Sequence, residues 1–372
     1  MVVIDPRKAV RGRGAVSNPT GRFEKRQLTP FDDGWGDDID DPEGAGENSA
    51  VGEPMRLPTT VIPEKTRRAI TRNNSPDLSF DRSLNPYKGC ENGCVYCFAR
   101  PSHAYVGLSP GIDFETKIFS KPDAPERLRE ELLKKSYHCA PITLGANTDP
   151  YQPVERELKI SRRLLEVLRE FRHPVSIITK SALVQRDADI LADMARDNLA
   201  QVFVSTTTLE KSLARIMEPR AATPEKRLET IEVLNKAGVP THVMTAPMIP
   251  FVNDHELERI LEAAYTRGAR RAGYVLVRLP HELKDLIEEW LERHFPDRKQ
   301  HVLNTIRQTR GGQLYESTWG VRMTGTGPYA QAIAARFNAA CRRFGFNLER
   351  TELDTTKFRP PEEKGAQMGL FR

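Results

Sequence analysis

Cysteine is scarce in this chain of 372 residues, with five in all. So few over that length exclude the disulfide framework of a small secreted protein. Long apolar runs are missing too. No stretch approaches the ~20 apolar residues of a membrane span, and the most apolar windows are broken by prolines such as Pro247 and Pro250. Met1-Val2-Val3-Ile4-Asp5 is too short an apolar opening for a secretion signal. No internal repeat of fixed period is visible. What remains is a cytoplasmic chain with no membrane contact, built as one large domain with appendages or as two domains. A net charge of +5 and a pI near 8.9 are compatible with a nucleic-acid partner without requiring one.

Charge is unevenly spread. Residues 7–26 hold Arg7, Lys8, Arg11, Arg13, Arg22, Lys25 and Arg26, while the stretch from Asp32 to Glu53 is acidic and has no base. Neither piece has an apolar period, so residues 1–75 are expected to form a disordered arm. Its basic half can neutralise phosphates, or simply attract the acidic half.

From about residue 80 strands and helices alternate. Short β-branched runs fall at 117–119, 141–144, 175–179, 202–205, 241–244 and 274–277. Amphipathic segments of helical length lie at 124–136, 158–171, 186–196, 224–237, 254–267 and 281–294. This α/β alternation predicts a parallel sheet with right-handed crossovers, and about six units favour a partial barrel over a closed one. Gly238 and Pro240 are placed to end the helix before them. The expected division is a barrel over 76–295, a small C-terminal cap over 296–354 with an Ala-rich helix at 329–344, and a flexible tail over 355–372.

The few cysteines are not scattered. Cys90, Cys94 and Cys97 form a CxxxCxxC run with an aromatic on each side of the last one. Three thiolates so close can hold three irons of a 4Fe–4S cube and leave the fourth without a protein ligand. The alternative is a three-thiolate zinc site completed by a distant His, Cys139 or Cys341, although paired CxxC knuckles are absent. In a parallel barrel the site forms at the carboxyl ends of strands. The groups found there are the loop Asn147-Thr148-Asp149, which also reads as an Asx turn, then Lys180, Ser205 and Ala246-Pro247.

The cysteine run resembles the signature of the radical S-adenosylmethionine (SAM) superfamily. Its flanks Asn85-Pro86-Tyr87-Lys88-Gly89 and Phe98-Ala99-Arg100-Pro101-Ser102-His103-Ala104-Tyr105 are similar to the spore photoproduct lyase branch. So are Thr148-Asp149-Pro150-Tyr151-Gln152-Pro153, Thr179-Lys180-Ser181, Glu218-Pro219-Arg220 and Ala246-Pro247. The resemblance covers roughly residues 75–345. It implies a six-unit partial TIM-type barrel, a 4Fe–4S cluster on Cys90, Cys94 and Cys97, and SAM chelated at the open iron. An electron reaching the cluster from an external donor would cleave SAM to a 5′-deoxyadenosyl radical, which would abstract hydrogen from a substrate. Carried over by position, Lys180, Ser205 and Ala246 would touch SAM, and Asn147, Thr148 and Asp149 would lie beside the reacting carbon.

One departure stands out. The lyase returns a hydrogen atom from a cysteine in the loop after the strand equivalent to 141–144, and here that loop has no thiol. Tyr96, Tyr105 and Tyr151 are the substitute donors to consider. Cys139 and Cys341 read as small core residues.

The segment Gln367-Met368-Gly369-Leu370-Phe371 resembles the peptide by which bacterial repair proteins dock on the sliding clamp. The leading expectation is a radical SAM enzyme acting on damaged or modified DNA. Alternatives are modification of RNA or protein, or a non-catalytic iron–sulfur partner of the clamp.

Overall fold

The computed structural model describes residues 12–24, 57–349 and 352–361. In chain order the strands are β1 (Thr60–Pro63), β2 (Ile70–Arg72), β3 (Arg82–Leu84), β4 (Tyr87–Lys88) and β5 (Lys117–Ser120), followed by β6 (Ile142–Leu144), β7 (Val175–Thr179), β8 (Ala200–Ser205), β9 (Thr241–Met248) and β10 (Arg271–Leu276). The main sheet runs β10-β9-β8-β7-β6-β3-β2. All neighbours are parallel except β2, which is antiparallel to β3. Its outer strands β2 and β10 do not pair, so six parallel strands make an open, partial barrel. A parallel array sends every strand's carboxyl end to one rim, and the loops leaving that rim gather the site.

The helices obey local signals. In Ile160–Glu170, Leu164 and Leu168 stand one turn apart and are fully buried against the sheet. Each such leucine contributes roughly 1.5–3 kcal/mol by leaving water. The helix Pro224–Lys236 starts where the Thr223 side chain accepts from the Lys226 N–H, with proline at its first position. It stops at Gly238, whose φ of 83° is the left-handed conformation that glycine adopts without strain.

Several expectations need correction. The run at 117–119 is a strand, but it belongs to a separate sheet of order β1-β5-β4 that flanks the cysteine loop. The sixth barrel strand is β3 instead. Its apolar pattern is masked by Arg82, buried because it pairs with Asp81 and donates to the His138 carbonyl at 2.6 Å. Residues 12–24 and 57–75, expected to lie in a disordered arm, are packed: β1 and β2 pair in the two sheets, and Ala15 and Ile70 are buried. These short pieces are held by backbone and carboxylate contacts, which leave no hydrophobic period. Residues 355–361 also depart from the expected flexible tail. Phe358 packs among Tyr137, Phe171 and His173, and Lys357 pairs with Asp197 at 2.9 Å. Residues 1–11, 25–56 and the clamp-like Gln367–Phe371 lie outside the described residues.

The exposed edge of the sheet is covered. Asn347 bonds both backbone groups of Ala272 on β10, and the helix Gly327–Phe344 sets Phe337 4.7 Å from Tyr274. Among the described residues no helix is long and apolar enough to cross a membrane.

Three histidines are buried neutral. Burial lowers His103 and His173 to about 4 and His242 to about 3. In the unfolded chain each takes a proton near pH 6.5, so the stability they confer is complete above that value. It drains as pH falls from about 6.5 towards about 4, by about 1.4 kcal/mol per pH unit for each histidine. The urea midpoint is therefore expected to drop clearly between pH 7.5 and pH 5, and an unchanged midpoint would contradict the buried, neutral assignment.

Candidate cluster and cofactor site

The cysteine run leaves β4 at the carboxyl rim. Cys90 and Cys94 are buried and Cys97 is half-buried. Burial pushes the Cys90 and Cys94 thiols up, so their thiolates need a cation close by. Among the described residues, the groups of three potential ligands with all donor atoms within 4.8 Å of one another reduce to Glu210, His255 and Glu256. The cysteine triad is therefore spread more widely. A single zinc at about 2.3 Å from each sulfur would draw the sulfurs to roughly 3.8 Å apart. Three soft donors on a wider footprint fit a cluster with one iron per thiolate.

The loop is stitched in place from several directions. Asp149 accepts on one oxygen from the Tyr151 N–H at 2.9 Å and the Thr179 hydroxyl at 2.7 Å. Its other oxygen accepts from Asn92 Nδ2 at 2.9 Å and the Lys180 N–H at 2.7 Å. Gln152 accepts from the Glu91 N–H and donates to the Gly89 carbonyl. Glu91 accepts from the Val154 N–H and pairs with Arg220 at 3.1 Å. From the β8 side, the Arg220 N–H donates to the Asn92 carbonyl and the Val95 N–H to the Met217 carbonyl. The stretches Thr148–Pro153 and Glu218–Arg220 thus brace the cysteines. Asp149 was expected to face the ligand, but both its oxygens are committed to this bracing.

The other expected residues divide. Lys180, at the end of β7, lies over the Tyr96 ring with Nζ 5.7 Å from its centroid, and its charge favours the Cys94 thiolate. It has no carboxylate partner among the described residues. Ser205 ends β8 in a buried position, its carbonyl accepting from Arg227. Ala246 is half-buried within β9, which runs two residues past it. Asn147 is exposed at the rim, while the Thr148 hydroxyl is spent on the Tyr87 carbonyl.

Of the tyrosines, only Tyr96 adjoins the cysteines, and its hydroxyl donates to Glu218. Tyr151 is fully buried and bonded to Asp187; Tyr105 is 71% exposed and stacks on Phe23. Neither belongs to the site. Cys139 precedes β6 at the far end of the barrel, and Cys341 lies in the helix Gly327–Phe344.

Buried charges supply what sequence reasoning missed. Arg100 and Glu115 form a fully buried pair. Arg100 also donates to the carbonyls of Cys94, Pro110 and Gly111, fixing the back of the loop. Glu115 accepts from the N–H groups of Gly14 and Ala15, tying residues 12–24 down as a strap. A Cβ at Gly14 would run into the Gly93 carbonyl oxygen, so strap and cysteine loop touch backbone to backbone. Glu218, raised by burial, accepts from Thr207 and Arg227 as well as Tyr96. Arg100 falls within the run quoted for resemblance; Glu115 has no local signal.

At the end of β10, Arg278 lies 5.5 Å over the Phe98 ring. Its Nη1 meets only the Met323 sulfur, its buried Nε has no partner, and it forms no ion pair among the described residues. Phe98 itself is 45% exposed.

Residues 84–264 match the family described as the radical SAM superfamily. An uncharacterized protein of Mycobacterium tuberculosis is 34% identical over 226 residues, which span 60% of this chain and 66% of that protein. One of Methanocaldococcus jannaschii is 26% identical over 202 residues, 54% of this chain and 73% of its own length. Among solved structures, a point variant of spore photoproduct lyase aligns with a TM-score of 0.57 at 14% identity, covering 77% of this chain and 80% of that one. A further variant, bound to AdoMet and dinucleoside spore photoproduct, aligns with a TM-score of 0.56 at 12% identity over the same shares. At these identities the structural likeness establishes the fold.

Proposed function

Residues 84–264 belong to the radical SAM superfamily, and from that premise we propose that this chain cleaves SAM reductively and takes a hydrogen atom from a nucleic acid, damaged or modified DNA being favoured. Enzymes of this superfamily use a 4Fe–4S cluster and SAM. The observation that carries the reading is the convergence, at one rim, of three cysteine sulfurs and of Lys180, which has no carboxylate partner among the described residues. Cys90, Cys94 and Cys97 would hold the cluster, which when bound supplies an open iron for SAM and the electron that breaks its sulfonium bond. Lys180 would pair with the methionyl carboxylate. Ser205 and Ala246 would line the adenosine, and Asn147 would face the substrate. Asp149, Gln152 and Glu218 hold the loop still, so the ligands stand ready without reorganisation. Three clustered free thiols need a reducing compartment, in keeping with a cytoplasmic location.

A nucleic-acid substrate is supported by the rim itself. Arg278, which has no direct ion pair among the described residues, offers a guanidinium to a phosphate, and Phe98 beneath it offers a face on which a base can stack. Replacing Arg278 with Gln is expected to weaken oligonucleotide binding about ten-fold or more at low salt, with iron content unchanged. Equal affinity of the two proteins would remove Arg278 from the substrate path. The reading as a whole is tested by transfer of deuterium from labelled oligonucleotides into 5′-deoxyadenosine. Transfer from a labelled peptide or RNA, and none from DNA, would redirect the substrate. The Gln367–Phe371 segment would dock on a sliding clamp, and its deletion should abolish clamp pull-down while SAM cleavage persists.

A further inference from the structure

On the outer face of the cysteine loop, the strap and two helices enclose a cleft of about 330 Å³. Arg13, Arg215, Arg293 and His294 line it, together with Gly14 and Pro219, and among the described residues no carboxylate does. Arg13 is held by the carbonyls of Glu115 and Leu57 and the Thr59 hydroxyl, near the Glu115 and Glu91 charges but with no direct ion pair among the described residues. Arg215 is exposed on the helix Lys211–Met217. The floor of the cleft is thin. Gly14 rests on Gly93, which stands between Cys90 and Cys94, and Pro219 borders the same glycine. The cleft therefore abuts the backbone of the cysteine loop directly, at the residue before Cys94.

We propose that this cleft is the docking surface for an acidic, one-electron carrier protein of low potential. The inference rests on the reading that the cysteines hold a redox cluster. In the step it serves, the reduced carrier gives up one electron and the cluster gains it; no bond forms and no proton moves. Electron transfer falls steeply with distance, so a carrier gains most by docking where the intervening protein is thinnest. Arginine on its lining, with Arg215 exposed to solvent, steers a negative surface to that spot. A nucleic acid is the other polyanion to weigh. Among the described residues the cleft lining has no Phe, Tyr or Trp on which bases could stack, and Lys180 and Arg278 mark a different opening at the strand ends.

The test follows bleaching of the cluster's visible absorbance in reconstituted full-length protein. The probe is a reduced, acidic plant-type ferredoxin, a low-potential one-electron carrier, compared with dithionite, which needs no docking. For wild type the ferredoxin rate should fall as salt rises. Arg215→Glu should slow it about ten-fold at low salt, Arg215→Lys should restore it, and dithionite bleaching should be alike in all three. Equal ferredoxin rates in wild type and Arg215→Glu would overturn the docking site while leaving the cluster reading intact. Weakened oligonucleotide binding with an unchanged ferredoxin rate would assign the cleft to nucleic acid instead. If dithionite bleaches nothing in the wild type, the cluster reading fails, and the docking site with it.

Discussion

Replacing Cys94 with alanine is expected to strip the protein of most of its iron and to end SAM cleavage. Cys94 is buried, and its sulfur has no substitute nearby: Cys139 and Cys341 lie on other elements, away from the rim. Two remaining thiolates cannot hold a cube whose fourth iron already lacks a protein ligand. The fold should survive, because a buried cysteine behaves as a small apolar side chain and alanine removes one atom. Iron should fall from roughly four per chain to near zero, and 5′-deoxyadenosine to background, while the far-UV spectrum stays the same. A Cys94→Ala protein that kept its iron and its activity would show that the loop is not the metal site.

Replacing Arg100 with alanine should have the largest effect on stability. Its guanidinium and the Glu115 carboxylate are both wholly buried. Removing one partner leaves a carboxylate stranded in a medium of low dielectric, which costs about 3–5 kcal/mol. The loss spreads further here, because Arg100 also serves three carbonyls around the cysteine loop. Iron retention should fall along with the unfolding midpoint. Glu115→Gln should be costly as well, because it leaves the Arg100 guanidinium buried without its carboxylate and turns one of the two acceptors of the strap's N–H groups into an amide NH2. Equal midpoints for Arg100→Ala and wild type would mean that the pair is not buried as described.

Much of this was legible in the residues. The cysteine spacing, five of the six barrel strands and the main helices follow from motif and periodicity, because those elements bury one face and their patterns repeat. The strand β3 escaped notice, since three residues carry no period and Arg82 disguises one of them. Asp149 shows a different limit. Its place in a polar loop after a strand suggested a ligand contact, yet its lone pairs are used by Asn92, Tyr151, Thr179 and Lys180. Sequence can place a carboxylate at a rim; whether its oxygens are free depends on partners that are distant along the chain. The same holds for the strap, where Gly14 and Glu115 meet across a hundred residues.

The central claim is that three cysteines hold an iron–sulfur cube that cleaves SAM. Anaerobic reconstitution followed by dithionite and SAM tests it most directly. Brown protein with iron and sulfide in equal amounts, releasing 5′-deoxyadenosine, is the result expected. Colourless protein that holds zinc and leaves SAM intact would contradict it.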